Sequence, residues 1–458
     1  MKKLERRAFL CLALAAVLIA GLIFFVVRLE TNGADWATFY ANTHIYSGGK
    51  LSVGTVYDRN GKLLLKNTAK GMKYSSDELI RRANLHSSGD PGANIATGAN
   101  VAFKSRMVGY NFVTGTGGFF SSGGSKVYLS VDSRVNRGAY EALSGRNGLV
   151  GVYNYKTGEI ICMVSTPTYD PGEKGQNSLS NPLPGTYMNK LISGALTPGS
   201  TFKLVTTAAA LENIGNIDTW SYKCTGSLTV GGDKITCPKV HGTMDIYGAL
   251  ANSCNCAYAT LAMDLGGDTL AEYTKALGLT KSYDIDGIAS AAGTFNFDSA
   301  DVNIGWAGIG QFEDRVNPLS MMVYMGAIAG GGKAANPVLL ADESLIEKGA
   351  ALIGAKSETA AAGSVRLLDS ETASTLSDMM RNNVKITYGD GNYPGLELHA
   401  KSGTAEVGTG KAPHSWFCGF AGNYAFIVCV ENGGYGSSVA GPVANRVLQY
   451  MKSEGYEF

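Results

Sequence analysis

Thr197-Pro198-Gly199-Ser200-Thr201-Phe202-Lys203, at the head of an apolar run, is the stretch that decides how this chain is read. The pattern predicts a helix over 197–213, with Thr197 as its cap and Pro198 in its first turn. Ser200 then falls near the helix N-terminus, and Lys203, three residues on, shares its face. A serine hydroxyl is a poor nucleophile until a neighbour takes its proton. Lysine can do so when burial and nearby cations keep its amine neutral part of the time. Alone, Ser-x-x-Lys is an ordinary helix start, so its meaning depends on the partners that the rest of the chain supplies.

Ser253-Cys254-Asn255 comes next, and then Lys401-Ser402-Gly403-Thr404, which opens a predicted strand hairpin. Singly these are turn and loop sequences. In this order, the three motifs form the signature of penicillin-binding proteins and active-site-serine β-lactamases, with Cys254 and Ser402 standing where the usual wording has Asp and Thr. The chain resembles a class B penicillin-binding protein, a monofunctional peptidoglycan D,D-transpeptidase. Further matches in family order are Gly158-Glu159-Ile160, Ser165 to Pro171, Gly308-Ile309-Gly310-Gln311, Asn317-Pro318-Leu319 and His414 to Ala421. Gly54 to Gly61 resembles the start of the extracytoplasmic part of such proteins.

The resemblance implies a penicillin-binding transpeptidase fold with Ser200 as nucleophile and Lys203 as base. Ser253 would touch the lysine and relay protons to the leaving group, and Asn255 would hydrogen-bond the substrate's amide backbone. Lys401 would add positive charge, while Ser402, Gly403 and Thr404 would bind substrate, with Ser402 and Thr404 on the terminal carboxylate of a D-Ala-D-Ala stem peptide. The backbone N–H groups of Ser200 and Thr404 would form an oxyanion hole. β-Lactams would acylate the same serine. No cofactor is implied. The expected partner is a multispan membrane glycan polymerase, since no glycosyltransferase domain fits before residue 127. Nearby alternatives are a β-lactamase or carboxypeptidase, with water as acceptor, and a noncatalytic β-lactam sensor or scaffold. No Glu is placed like the deacylating element of class A β-lactamases, and only seven residues precede the apolar run, too few for an output domain.

With 458 residues, 39 basic against 38 acidic side chains and a net charge of +1, the chain has room for two or three domains and no signal for a nucleic-acid partner. Ala8 to Val27 is uncharged and apolar, matching the roughly 20 residues that cross a bilayer. Lys2, Lys3, Arg6 and Arg7 precede it, so the N-terminus is expected in the cytoplasm and everything after Arg28 outside. A signal peptide is the competing reading, but its apolar core is usually shorter and no small-residue cleavage site comes directly after the run.

The divisions predicted are a cytoplasmic tail (1–7), a transmembrane anchor (8–27), an irregular β-rich pedestal (28–125) and the transpeptidase domain (126–458). The Gly- and Ser-rich stretch Gly115 to Gly124 marks the boundary. Beyond it, strands at 127–131, 149–164, 396–404, 414–421 and 424–431 enclose helices at 132–143, 197–213, 244–265, 268–277, 317–330 and 369–384, with a closing helix at 439–454. Strands at both ends around helices predict an α+β fold, an antiparallel sheet between helical layers.

Of the eight cysteines, Cys11 lies in the apolar run and Cys162 in a strand. Cys418 and Cys429 flank a turn near Gly422-Asn423 that would set Cys429 opposite Trp416, so both read as buried small hydrophobes. Cys224 and Cys237 bracket Val230-Gly231-Gly232-Asp233 and are the one plausible bridge. The five histidines show no metal-ligand spacing, so no metal is expected. His241 reads as structural, Gly308 to Gln311 and Pro318 as architecture, and Trp416 as core.

Overall fold

The computed structural model describes residues 2–43, 45–111, 115–116, 124–172, 179–297, 300–341 and 363–458. Its centre is a five-stranded antiparallel sheet in the order Ile160–Thr166, Gly148–Asn154, Tyr424–Val430, His414–Ala421, His399–Ala405. These strands are buried on both faces, and the alternation of their side chains divides two cores. Val150, Val152, Phe417, Phe426 and Val428 face the helices Ser133–Leu143 and Gly436–Ser453. Leu149, Tyr153, Trp416, Ile427 and Cys429 face the opposite layer, which holds Lys203–Asn213 and the buried, mostly apolar helix Pro318–Ala329. This is the sheet between helical layers that the strand and helix order implies.

The register agrees with the reading of the last hairpin. Trp416 lies opposite Cys429, and Cys418 opposite Ile427. Trp416 is fully buried and its indole N–H donates to the Thr197 carbonyl at 2.9 Å, so it belongs to the core. His399–Ala405, which carries Lys401, Ser402, Gly403 and Thr404, is one of the two edge strands. An edge position leaves one side of that strand open to whatever lies beside it.

The N-terminal helix Lys2–Ala37 is the one helix among the described residues long and apolar enough to cross a membrane. The region after it contains a four-stranded sheet in the order Gly71–Tyr74, Leu63–Thr68, Thr55–Tyr57, Lys126–Tyr128, the last pair parallel. The boundary expected at 125 therefore crosses this sheet, because Lys126–Tyr128 completes the sheet of the preceding region. Residues 117–123 of the expected boundary stretch lie outside the described residues.

Polar contacts bind this region to the larger one. Asp58 is fully buried and accepts from the backbone N–H and hydroxyl of Ser133. Arg81 grips Asp170 through two bonds of 2.6 and 2.7 Å, a planar match of guanidinium to carboxylate that fixes orientation as well as distance.

Candidate active site

The Ser200 turn departs from the expected helix start. Gly199–Thr201 is a short 3-10 turn, and the α-helix begins at Lys203. Thr197 does not cap it; its hydroxyl accepts from Arg315 at 2.8 Å and its carbonyl from Trp416. Gly199 has φ +55°, and a Cβ there would lie 2.5 Å from the Thr404 carbonyl oxygen. Only glycine allows both that backbone conformation and so close an approach. Its N–H donates to Gly310 O at 2.9 Å, and a Cβ on Gly310 would collide with Gly199 O at 2.0 Å. Gly308 to Gln311 is thus the floor beneath the Ser200 turn, in keeping with an architectural role.

The helix expected over 244–265 is two helices, Ile246–Ala251 and Asn255–Leu265, broken at the second motif. Ser253 N–H bonds to Leu250 O and Cys254 N–H to Ala249 O, both at 3.0 Å. This is the Schellman arrangement that ends helices, and its left-handed position is usually glycine. Here that position is Ser253, with φ +51°. A side chain in this conformation costs on the order of 1–2 kcal/mol, and what it brings is a hydroxyl at the centre of the site.

Lys203 and Lys401 are both fully buried. The Ser253 hydroxyl joins them, 3.2 Å from Lys203 Nζ and 3.0 Å from Lys401 Nζ. Lys203 Nζ also donates to Ser253 O at 2.6 Å and to Asn255 Oδ1 at 2.7 Å, while Lys401 Nζ donates to Ser402 O at 2.8 Å. Burial, which penalises the charged form, holds Lys203 well below the usual lysine range, and the Lys401 charge pushes the same way. Burial likewise lowers Lys401, to about 7. Asn255 spends its carbonyl oxygen on Lys203, and its amide donates to Thr236 O at 2.8 Å.

The structure therefore gathers Lys203, Ser253, Asn255 and Lys401 into one hydrogen-bonded cluster, with Thr404 against the Ser200 turn. Among the described residues no hydrogen bond joins Ser200 to Lys203. Ser200 is half-buried, in the turn just before the Lys203 helix.

Comparison with known proteins bears on what this cluster is. Residues 148–449 match the family model described as the penicillin binding protein transpeptidase domain. The chain belongs to the penicillin-binding transpeptidase family. The peptidoglycan D,D-transpeptidase PbpA of Mycobacterium tuberculosis is 28% identical over 361 residues, covering 71% of this chain and 72% of PbpA. PbpA of Mycolicibacterium smegmatis is 29% identical over 377 residues, covering 72% and 73%. The structure of M. tuberculosis penicillin-binding protein A as its ceftriaxone acyl-enzyme complex superposes with a TM-score of 0.72 at 23% identity, covering 87% of this chain and 98% of that one.

In this penicillin-binding transpeptidase, sequence reasoning missed Tyr388. Its hydroxyl accepts from Ser402 N–H at 2.8 Å and donates to Ser402 Oγ at 3.0 Å, so the third motif is tethered on the side away from Lys401. A single tyrosine at the end of a π-helical turn, Val384–Tyr388, carries no sequence signal for this contact. The cysteines also differ from expectation. The turn at Gly231-Gly232 forms as read, with Val230 opposite Asp233, but Cys224 lies opposite Gly242 and not opposite Cys237. Both are free thiols. His241, which showed no metal-ligand spacing, comes together with Cys224, Cys237 and Cys254.

Proposed function

We propose that this chain is a peptidoglycan D,D-transpeptidase working through an acyl-serine intermediate on Ser200. The observation that carries the mechanism is the Lys203–Ser253–Lys401 relay between two buried lysines. A neutral Lys203 amine has two hydrogens, which its bonds to Ser253 O and Asn255 Oδ1 occupy, leaving the lone pair for a proton. Ser200 Oγ attacks the penultimate D-Ala carbonyl of a stem peptide and gives its proton to Lys203. The proton passes through the Ser253 hydroxyl to the departing amine, and D-Ala leaves. An amine from a neighbouring stem peptide then attacks the acyl-serine, and the same relay runs in reverse.

Lys401, Ser402 and Thr404 line the edge strand where the terminal carboxylate of D-Ala-D-Ala would lie, and Gly403 leaves room between that strand and the Ser200 turn. The backbone N–H groups of Ser200 and Thr404 are the proposed oxyanion hole; donors of this kind contribute several kcal/mol to acyl transfer. β-Lactams would acylate Ser200 through the same contacts, in line with the acyl-enzyme complex of the M. tuberculosis homologue. The Lys2–Ala37 helix would anchor the protein with its N-terminus in the cytoplasm and the site outside. Glycan polymerisation would fall to a multispan membrane partner.

The test is to give the full-length protein a D-Ala-D-Ala stem peptide with and without an amine-bearing stem peptide. Release of D-Ala coupled to cross-linked dimer is the expected result. Release that yields only the hydrolysed peptide, however much acceptor is present, would make it a carboxypeptidase.

A further inference from the structure

Behind the second motif lies a group of side chains that the acyl-transfer chemistry does not use. Cys224 ends the strand Tyr222–Cys224, Cys237 comes just after the strand Asp233–Thr236, His241 precedes the strand Gly242–Met244, and Cys254 is the middle residue of Ser253-Cys254-Asn255. One ligand atom from each lies within 4.8 Å of all the others. Cys224 Sγ is 3.5 Å from His241 Nδ1, and Cys237 Sγ is 3.7 Å from Cys254 Sγ. Zinc–sulfur bonds of about 2.3 Å and zinc–nitrogen bonds of about 2.0–2.1 Å in a tetrahedron require edges of about 3.8 Å between sulfurs and about 3.6 Å between sulfur and nitrogen. The two measured separations are opposite edges of such a tetrahedron.

The surroundings suit a bound metal. Gly226 N–H points at Cys224 Sγ and Cys256 N–H at Cys237 Sγ, both at 3.4 Å. Such N–H donors orient thiolate ligands and offset their charge. His241 Nε2 is buried with no hydrogen-bond partner among the described residues, so no polar contact but that with Cys224 accounts for the ring's position. The hairpin that brings in Cys224, Cys237 and His241 has little core of its own: of Ser227–Val230 and Asp233–Thr236 only Ile235 is buried. Small elements of this kind are commonly held by a metal or a disulfide.

We propose that Cys224, Cys237, His241 and Cys254 bind one zinc ion in a closed tetrahedral site that pins the Ser253 turn to the hairpin. Three soft thiolates and an imidazole in this geometry select zinc, and four protein ligands leave no position for substrate, so the ion is structural. Through Cys254 it holds the flanking Ser253 and Asn255 against Lys203, in a turn whose backbone would otherwise relax from φ +51°. The metal claim stands without the transpeptidase reading; its effect on acylation rests on that reading.

The experiment uses the full chain, purified in detergent through a tag that contains no metal-binding residues. Zinc is counted by mass spectrometry alongside the alkylation of all eight cysteines under denaturing conditions. One zinc per chain, every thiol alkylated, and loss of the metal in Cys237→Ser and His241→Ala are expected. Absence of zinc, its retention in both variants, or recovery of Cys237 and Cys254 as a disulfide would overturn the site. Should the variants fail to fold, exchange of cobalt(II) into the unaltered protein decides: thiolate-to-cobalt charge-transfer bands with the intensity of a tetrahedral site support it, and an octahedral spectrum refutes it. Stripping zinc from the intact protein is expected to slow acylation by a fluorescent penicillin by roughly 10- to 100-fold, reversed by added zinc. An unchanged rate with the metal gone would refute the positioning role while leaving the zinc count as measured.

Discussion

Lys401 and Ser253, hydrogen-bonded partners in the site, are supported in different ways. Lys401 sits on a strand whose register with His414–Ala421 holds over seven consecutive pairs, so its position is fixed by the ladder of the central sheet. Its partner Ser253 sits in a break between two helices, in a left-handed conformation that its side chain disfavours. One half of the cluster inherits rigidity from the fold, and the other depends on local contacts: the Schellman bonds, the Asn255 amide on Thr236 O, and the cysteine cluster behind Cys254. The loop half should therefore be the easier to disturb without unfolding the protein.

Ser253→Ala tests this most severely. It removes the hydroxyl between the lysines, and acylation by a fluorescent penicillin should fall roughly 10²–10⁴-fold, the usual contribution of a positioned proton-transfer group. Ser253→Gly should lose as much activity yet be more stable than the alanine variant by about 1 kcal/mol, because glycine takes φ +51° without strain. Thermal melting of the two variants side by side checks it; equal stability would mean that the turn stores no strain.

On the strand half, Gly403→Ala puts a Cβ 2.8 Å from Thr201 Cγ2 and 3.0 Å from Pro198 O. The strand and the Ser200 turn must separate, and acylation should drop roughly 10²-fold, the effect of a misplacement near 1 Å. A rate within a few-fold of the unaltered protein would show that the strand half is less rigid than its register implies.

The pH profile joins the halves. At and below about pH 7 Lys401 carries a charge, which disfavours a second one on Lys203. Lys401→Met removes that charge, so the Lys203 pKa rises and the acidic limb of the acylation profile should move to higher pH. A limb that stays in place would mean burial alone tunes Lys203. The smallest effect is expected for Trp416→Phe, which loses the indole bond to Thr197 O and should cost about 1 kcal/mol in melting with little change in rate.

The same contrast explains what could be read in the sequence. Residues 414–421 and 424–431 alternate so regularly between two cores that strand bounds and the facing of Cys429 on Trp416 were legible, and with them the position of Lys401. The break at Ser253 was not, because the apolar periodicity runs through it and the left-handed residue is a serine, without the glycine that usually marks a helix end. Thr197 resembled a cap because Thr-Pro is a common helix start, yet its hydroxyl is taken by Arg315 from a distant segment. The grouping of Cys224, Cys237, His241 and Cys254 was hidden for a related reason: its members come from three short strands and a helix break, which only the folded hairpin brings together.

The chemistry proposed for the cluster requires Ser200 to be the acylated nucleophile. Mass spectrometry of the full chain after treatment with benzylpenicillin, with peptide mapping of the product, tests it directly. One adduct per chain is expected, located on the peptide containing Ser200 and absent from a Ser200→Ala variant with unchanged melting. An adduct that maps elsewhere, or one that persists in Ser200→Ala, would contradict it.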